Sequence, residues 1–293
     1  MNQNNKPYIF VVGNEKGGAG KTTCSMHLII GLLDRGHGVI SIDVDSRQHS
    51  LTSYINNREV YNEKNPDKKV LMPVHFHIPE SNKQTIQEKE AEEREFFEDL
   101  LAQAKNCADY IVIDTPGSHT YLSRLAHSYA DTVITPINDS FLDLDVIAKI
   151  DGDSFDVTKP SIYSQMIWEQ KMEKASRGQG SMDWVVLKNR LSNLDAHNKR
   201  NVSQALEKVA KRIAFRVVPG FSERVIFREL FPQGLTLLDL KSANYSKSFS
   251  ISHVAARQEL RSFLDAIGIR NNNAAATSED NSDNNLTEDA FAW

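Results

Sequence analysis

The feature that most constrains this chain is the glycine-rich segment Lys16-Gly-Gly-Ala-Gly-Lys-Thr22. The β-branched, apolar run Tyr8–Val12 before it is predicted to be a strand, and Lys21–Leu33 is predicted to be a helix. A strand, a glycine-rich loop and a helix in this order form a phosphate-binding loop. The glycines let backbone N–H groups turn inward, and the helix N-terminus adds its positive dipole end. The sequence therefore predicts a nucleotide-binding protein.

Two side chains of this loop have defined chemistry. Lys21 is expected to reach the β- and γ-phosphates, and the hydroxyl of Thr22 is expected to bind Mg²⁺. We therefore expect ATP and Mg²⁺ as cofactors. The predicted nucleotide-binding residues of the loop are Glu15, Lys16, Gly17, Gly18, Ala19, Gly20, Lys21, Thr22 and Thr23.

The rest of the chain predicts an α/β fold with a doubly wound, mostly parallel sheet and helices on both faces. Short apolar runs without alternation are typical of strands that are buried on both faces. Helical patterns lie between these runs, at Glu88–Ala104 and Val202–Ile213. The predicted strands are Tyr8–Val12, Val39–Ile42, Tyr110–Ile113, Thr132–Thr135, Trp184–Leu187 and Phe215–Val218.

Residues 1–270 are predicted to form a single domain, and two polar segments depart from its pattern. Asn56–Lys69 is expected to be a surface excursion, and residues 271–293 are expected to be a disordered, polar and acidic tail. The last four residues of this tail, Ala290-Phe-Ala-Trp293, are apolar. They are either an accident of a floppy end or a short docking peptide.

Three carboxylates lie at the ends of predicted strands. Asp43 and Asp45 follow the second strand, and Asp114 follows the third. The carboxyl ends of parallel strands face the crevice in which ligands of such sheets bind. Since the phosphate loop lies at the same edge, we expect these carboxylates to complete the site rather than only to cap the next turns.

An ordinary phosphate loop needs only the lysine before its Ser or Thr, but this loop has a second one, Lys16. The pattern Lys-Gly-Gly-x-Gly-Lys-Thr resembles the deviant Walker A motif of the ParA/MinD superfamily of ATPases. The resemblance implies slow ATP hydrolysis by an ATP-dependent homodimer, in which Lys16 contacts the nucleotide of the partner subunit. It also implies that Asp45 positions or activates the attacking water, which makes Lys16 and Asp45 the implied catalytic residues.

The same resemblance implies the remaining contacts with the nucleotide and the metal. Asp43 is implied to support Lys21 and the magnesium shell, and Asp114 is implied to hold Mg²⁺, through water, as a Walker B aspartate. Asn189 follows the fifth predicted strand and is implied to contact adenine. Pro219-Gly220-Phe221 follows the next strand, where it could flank the ring.

Within this superfamily the chain most closely resembles the MipZ family of division-plane ATPases. This resemblance implies binding to a ParB-type centromere-binding protein and to non-specific DNA, and inhibition of FtsZ assembly, so that chromosome position is coupled to placement of the division site. A ParA-like DNA-segregation ATPase and a MinD-like spatial regulator are the alternatives. The resemblance extends from about residue 8 to residue 269 and rests on Val12–Lys21, Asp43–Gln48, Asp183–Leu191 and Pro219–Pro232.

One segment is locally basic although the net charge of the chain is −5. Between Val185 and Leu230, ten Lys and Arg residues stand against four Asp and Glu residues. Such an excess suits binding to the phosphate backbone of DNA without recognition of its sequence. Dimerisation would double the basic patch. The alternative is a solvated helix face with local ion pairs. The candidate DNA-binding residues are Lys199, Arg200, Lys208, Lys211, Arg212 and Arg216.

Other features disfavour competing classes. Cys24 and Cys107 are far apart and unpaired in sequence, which disfavours an iron–sulfur carrier. No run of about 18 apolar residues occurs, so we expect no membrane insertion and a cytoplasmic, nucleoid-associated protein. His75-x-His77 has no third ligand in the sequence and is expected to be structural. A small-molecule ATP-dependent ligase of related fold is a further alternative, which a substrate pocket would distinguish.

Overall fold

The computed structural model of the chain describes residues 6–105, 107–138, 140–152, 154–189, 196–243 and 251–269. The predicted tail, residues 271–293, lies outside these ranges, so its prediction is not tested. None of the helices in the described ranges has the length and the apolar character that crossing a membrane requires.

All but two of the described strands form one sheet, in the order β3-β2-β4-β1-β5-β8-β9. Every neighbouring pair in this sheet is parallel, and β6 and β7 form a separate antiparallel pair. The strands are β1 (Tyr8–Val12), β2 (Val39–Asp43), β3 (Val74–His77), β4 (Tyr110–Asp114), β5 (Thr132–Asn138), β6 (Ala148–Ile150), β7 (Val157–Pro160), β8 (Asp183–Asn189) and β9 (Arg216–Val218). The doubly wound α/β fold class predicted from the sequence is confirmed.

The chain winds from the central strand β1 first to one edge of the sheet and then to the other. The crevice of such a sheet lies above the carboxyl end of the strand at which the winding reverses, which here is β1. The helices are α1 (Lys21–Asp34), α2 (Ser50–Lys64), α3 (Ile86–Ala104), α4 (Tyr121–Tyr129), α5 (Phe141–Leu144), α6 (Ile162–Ser176), α7 (Ala196–Ile213), α8 (Ile226–Leu230) and α9 (Ile251–Ala266), with 3₁₀ turns at Pro66–Lys68 and Phe231–Gln233.

The sheet has an apolar core on each face. On one face, strand residues such as Ile111 pack with α3, α4, α6 and α7, which contribute Phe97 and Leu206 among others. On the other face, Phe10 and its neighbours pack with α1, α2 and α9, which contribute residues such as Phe263. Both faces of the central strands are covered, which explains why their apolar runs do not alternate with polar residues.

The six predicted strands are present, and their bounds show what the apolar pattern misses. β5 extends to Asn138 and β8 to Asn189, because polar residues continue the ladder at the ligand edge of the sheet. Helix α3 begins at Ile86, two residues before the predicted start. The side chain of Thr85 accepts a bond from the backbone N–H of Glu88, and the Glu88 side chain accepts from the backbone N–H of Thr85. The short strands β3, β6 and β7 were not predicted.

The stretch Asn56–Lys69 lies largely at the surface, as predicted, but it consists of helix α2 and a 3₁₀ turn rather than an excursion from the fold. Helix α2 covers the first part of this stretch, and the Arg58 side chain is fully buried. Its guanidinium donates to both carboxylate oxygens of Asp239, each at 2.7 Å, and to the carbonyls of Leu71 and Gly234. From the sequence alone, a charged residue such as Arg58 is taken for a surface residue. The partners that satisfy its hydrogen bonds in the core are far away in the chain, so no local pattern reveals them.

Candidate functional site

The register of the sheet brings the predicted site residues together. Asp114 at the end of β4 is paired with Val12 of β1 on one side and with Asp43 of β2 on the other. The phosphate loop after β1, the Asp45 loop after β2 and the loop after β4 therefore meet at one edge. This is the arrangement that the strand-end carboxylates predicted.

The phosphate loop has a backbone that only glycine accommodates well at its end. Gly20, immediately before α1, has a φ of 89°, in the left-handed region. A Cβ atom there would lie 2.2 Å from Nδ2 of Asn189. That amide donates to the carbonyl of Ala19 at 2.7 Å, so Asn189 braces the loop from the end of β8. The predicted contact of Asn189 with adenine stays a prediction.

Asp114 lies at the centre of the candidate magnesium site. Its two oxygens accept hydrogen bonds from the hydroxyls of Thr22 and Ser25, both at 2.8 Å. Burial, followed by the charge of Asp43, raises the pKa of Asp114 to about 7. A buried carboxylate next to a loop hydroxyl supplies the oxygen ligands that Mg²⁺ prefers, so the residues present fit the metal. Ser25 was missed, although its place one helical turn after Thr22 is a signal that the sequence contains.

The side chain of Lys21 is turned back onto its own loop. Its Nζ donates to the carbonyl of Lys16 at 3.2 Å, which closes the loop on itself. Burial lowers the pKa of Lys21, and the charges of Asp114 and Asp45 oppose this shift. An ammonium group in these surroundings is well placed to bind a phosphate oxygen.

Asp43 is bonded to the protein through both of its carboxylate oxygens. Oδ1 accepts from the backbone N–H of Asp45 at 3.0 Å, and Oδ2 accepts from the N–H and the hydroxyl of Thr52 at 2.9 and 3.1 Å. Its predicted part in the magnesium shell stays a prediction. In the structure, Asp43 anchors the loop after β2 and the first turn of α2.

The histidine pair of β3 lies beside this anchor. The imidazole of His75 forms hydrogen bonds with the hydroxyl of Thr52 at 3.0 Å and with that of Ser41 at 2.9 Å. Burial lowers the pKa of His75 to about 4. Among the described residues, no group of three or more His, Cys, Asp or Glu side chains is arranged to hold a metal ion.

Asp45 begins a turn at the mouth of the site. Its Oδ1 accepts from the backbone N–H groups of Arg47 and Gln48 at 3.2 and 3.0 Å. This turn fixes the carboxylate near Lys21, whose pKa it influences. Its role toward the attacking water stays a prediction.

The two loop lysines have different partners. The Nζ of Lys16 lies 2.8 Å from Oδ1 of Asp143 on α5, and its side chain is 39% exposed while that of Asp143 is 3% exposed. Asp143 was missed by sequence reasoning, because nothing in its local sequence distinguishes it from a surface aspartate. The carboxylate of Glu15, at the start of the loop, contacts the imidazole of His119 in the loop after β4.

A cleft of about 310 Å³ opens beside Gly20 and Thr23, at the position expected for the base. Its wall contains three aromatic rings, from Phe221, Phe227 and Phe231. Pro219 is exposed and is not among the residues that line the cleft, so its contact with the base stays a prediction. Of the segment Pro219–Phe221 that the sequence indicated beside the base, Phe221 lines the cleft, whereas Phe227 and Phe231 were missed. The remaining lining residues are Asn189, Ser222, Glu223, Arg224 and Arg228.

The predicted DNA-binding residues do not form one surface: some lie on α7, and Arg216 lies at the amino end of β9. Lys211 and Arg212 are exposed on α7, and together with Lys208 they line a shallow cleft of about 470 Å³. The Nζ of Lys208 is 3.1 Å from Asp156. Arg216 pairs with Asp183, at 2.5 Å, at the amino end of β9 and therefore at the edge of the sheet opposite the phosphate loop. The side chains of Lys199 and Arg200 lie outside the described part of the chain.

The fold, the phosphate loop and the carboxylates beside it define a P-loop nucleotide-binding protein with a second lysine in its loop. The sequence model of the family described as ATPase MipZ matches residues 8–271. The chain belongs to the MipZ family.

Known relatives agree with this family and fold. The chromosome partitioning protein ParA of Myxococcus xanthus (strain DK1622) is 25% identical over 158 residues, which are 48% of this chain and 56% of ParA. The chain thus spans about half the length of this curated relative. An ATP complex of a Cyanothece McdA variant (18% identity, TM-score 0.61) covers 91% of this chain and 98% of its own. The septum site-determining protein MinD of Pyrococcus horikoshii OT3, complexed with Mg-ADP, has 16% identity and a TM-score of 0.53. The match covers 87% of this chain and 94% of the MinD chain. At these identities the two structures show the fold alone.

Proposed function

We propose that this protein is a dimerising switch that binds ATP with Mg²⁺ and hydrolyses it slowly. Its task would be to control where the cell division site is placed. The observation that carries the proposal is the division between the two loop lysines. Lys21 is turned into its own loop, whereas Lys16 leaves the loop for the buried carboxylate of Asp143 on α5 and keeps 39% of its side chain exposed. A lysine in that position is available to a second subunit.

The residues of the site have separate tasks in this proposal. Thr22 and Asp114 would hold Mg²⁺, which supplies charge neutralisation at the β- and γ-phosphates when it is bound. Lys21 would leave the Lys16 carbonyl for a phosphate oxygen of the nucleotide in its own subunit. Asp45 would orient the attacking water. Lys16 would leave Asp143 and stabilise the charge on the nucleotide of the partner subunit.

The finer function that we propose is the one that family membership supports. The ATP-bound dimer would bind non-specific DNA through the basic residues of α7 and would respond to a ParB-type centromere-binding protein. By inhibiting FtsZ assembly it would couple chromosome position to the division site, in the cytoplasm and on the nucleoid. The similarity to ParA of Myxococcus xanthus supports a link to the chromosome.

Size-exclusion chromatography with light scattering tests the switch. Wild type should be a monomer with ADP and shift toward a dimer with ATP. Asp45→Ala should accumulate as the dimer, because it binds ATP but hydrolyses it poorly. Lys16→Ala should bind ATP and stay monomeric. If wild type and Asp45→Ala both remain monomeric in saturating ATP, the proposed switch is wrong.

DNA binding needs a separate assay. In a gel shift with ATP, the variant Lys199→Ala/Arg200→Ala/Lys211→Ala/Arg212→Ala should bind DNA weakly and keep its ATP turnover, because none of the four residues lies in a nucleotide motif. Wild-type affinity should fall steeply with salt. If the quadruple variant binds as wild type does, the basic segment is a solvated face.

FtsZ sedimentation separates the MipZ-type function from a ParA-like one. The ATP-loaded Asp45→Ala dimer should reduce the FtsZ polymer in the pellet, and monomeric Lys16→Ala should not. An unchanged pellet together with intact DNA binding would favour a DNA-segregation ATPase.

A further inference from the structure

The edge strand β3 combines an unpaired backbone edge with exposed apolar side chains. It pairs with β2 on one side, and among the described residues no strand pairs with its other side. Half of the backbone N–H and C=O groups of such a strand point outward and can pair with another chain. Val74 and Phe76 are 58% and 38% exposed. Their register with Ile40 and Ile42 places both on the face of the sheet that α3 covers.

A groove of about 460 Å³ lies on that face, between the segment after β3 and the first half of α3. We call it the acidic groove, and its lining includes Ile78, Glu80, Glu92, Glu93 and Phe96. The ring of Phe96 is exposed, so the groove combines apolar surface with carboxylates.

The negative charge of the acidic groove is not balanced by its lining. Lys83 is the basic lining residue, and its Nζ lies 3.8 Å from Glu92. Glu80 and Glu93 have no basic partner among the lining residues. Burial is the main cause that raises the pKa of Glu93, and the charges of Glu80 and Glu90 add to it, whereas a hydrogen bond from the backbone of Ser81 and the charge of Lys89, which is not a lining residue, oppose the shift.

The charge of this edge is opposite to that of the other edge. Helix α3 contains seven acidic and two basic residues, whereas α7 contains five basic and one acidic residue. Both helices pack on the same face of the sheet. Nucleic acid and anionic membranes are therefore repelled from the acidic groove, and a positively charged ligand is attracted.

We propose that the acidic groove and the free edge of β3 bind an extended, lysine- or arginine-containing segment of a partner protein, which adds to β3 as a strand. Alternate apolar residues of the segment would cover Val74, Phe76 and Phe96. Basic residues between them would reach Glu80 and Glu93. Main-chain pairing supplies affinity in this mode, and the side-chain pockets supply selectivity.

Charge disfavours the two other occupants that the molecule itself offers. The C-terminal tail would bring only acidic charges from Glu279 onward, at Glu279, Asp280, Asp283, Glu288 and Asp289. The β3 edge of a second copy would bring the same carboxylates. Like charges that face each other across an interface weaken it.

The test uses the full chain and a short fluorescein-labelled peptide of alternating valine and lysine residues. Fluorescence anisotropy at low ionic strength should show saturable binding. Glu80→Gln/Glu93→Gln should weaken it by about tenfold. The matched control is Glu95→Gln/Asp99→Asn, which removes two exposed charges of α3 outside the groove and should change the dissociation constant by less than about twofold. ATP turnover should be the same in both variants.

A second probe tests strand addition. The same peptide with alternate backbone nitrogens methylated keeps its charge but loses main-chain donors, and it should bind at least about tenfold more weakly. Equal loss of binding in the two double variants, or equal binding of the methylated peptide, would overturn the proposal. So would a change in the sedimentation coefficient of the peptide-free protein on Glu80→Gln/Glu93→Gln, since that would assign the groove to a second copy.

Discussion

The candidate nucleotide site has a phosphate half and a proposed base half, which adjoin each other but rest on different supports. The phosphate half stands on the ends of β1, β2 and β4, whose register fixes Asp114 against Thr22. The base half is formed by the segment after β9, whose residues Phe221, Phe227 and Phe231 make up what we call the base wall. Side chains from elsewhere hold this wall in place, including Glu259 of α9, which is 2.6 Å from Arg224, and Asn57 of α2, which donates to the carbonyl of Phe231.

This difference predicts how each half responds to change. A ladder of backbone hydrogen bonds keeps its geometry when a side chain is replaced, so substitutions in the phosphate half remove chemistry and leave the frame intact. The base wall depends on contacts between distant segments, so substitutions there should alter affinity in a graded way.

The largest effect is expected for Lys21→Ala. It removes the ammonium group that we propose binds the phosphates, and it should weaken ATP binding by at least about 100-fold. Isothermal titration with ATP and with inorganic triphosphate checks this, and both ligands should be affected equally. Lys16→Ala is the matched control, because it removes a lysine from the same loop. If the two variants lost ATP binding to the same extent, the division between the lysines would be refuted.

The second effect concerns the stability cost of Asp114. Its folded-state pKa of about 7 lies above the ordinary aspartate value. The buried proton therefore stabilises the nucleotide-free fold at low pH, and this contribution is lost as the pH rises from about 4 through 7. Asp114→Asn should leave Tm unchanged at pH 4 and raise it by about 2–5 °C at pH 8, without Mg²⁺.

Thermal unfolding followed by circular dichroism in EDTA measures this difference. A Tm for Asp114→Asn that is lower than that of wild type at pH 8 would mean that the carboxylate stabilises the empty site.

A smaller effect is expected for Phe227→Leu in the base wall. Loss of an aromatic contact should weaken ATP binding by about 3- to 10-fold. Binding of inorganic triphosphate should not change, because this ligand has no base. If triphosphate binding fell as much as ATP binding, the two halves would not be separable. Val225→Ala, at an exposed neighbouring position, is the control.

The smallest effect is expected for Asp143→Asn. It removes the charge that holds Lys16 within its own subunit, so less energy is needed to transfer the lysine to the partner. Because Lys16 is partly exposed, the ion pair is weak, and the ATP-dependent dimer should be tightened by only about 2- to 5-fold. Analytical ultracentrifugation across a range of concentrations measures this change. A looser dimer would mean that Asp143 itself takes part in the interface.

The sequence indicates which residues meet in the phosphate half but not which ones form the proposed base wall, for the same physical reason. Gly20, Lys21 and Thr22 are contiguous, and Asp43 and Asp114 end apolar runs that are recognisable as buried strands. The partners that were missed are distant in sequence. Asp143 meets Lys16, and Arg58 meets Asp239, only after the chain has folded. No local pattern marks a residue whose partner is more than a hundred positions away.

A mixing experiment tests the central claim, that Lys16 acts across the dimer, most directly. Lys16→Ala and Asp45→Ala should each hydrolyse ATP poorly alone. In a mixed dimer, the site in the Lys16→Ala subunit keeps its own Asp45 and receives Lys16 from its partner. An equimolar mixture should therefore recover turnover, up to about a quarter of the wild-type value. That ceiling corresponds to random pairing, in which half of the dimers are mixed and each has one complete site, and the weaker dimerisation of Lys16→Ala lowers the recovery below it. If Lys16 acts within its own subunit, no mixed site is complete, and the mixture will remain as inactive as the separate variants.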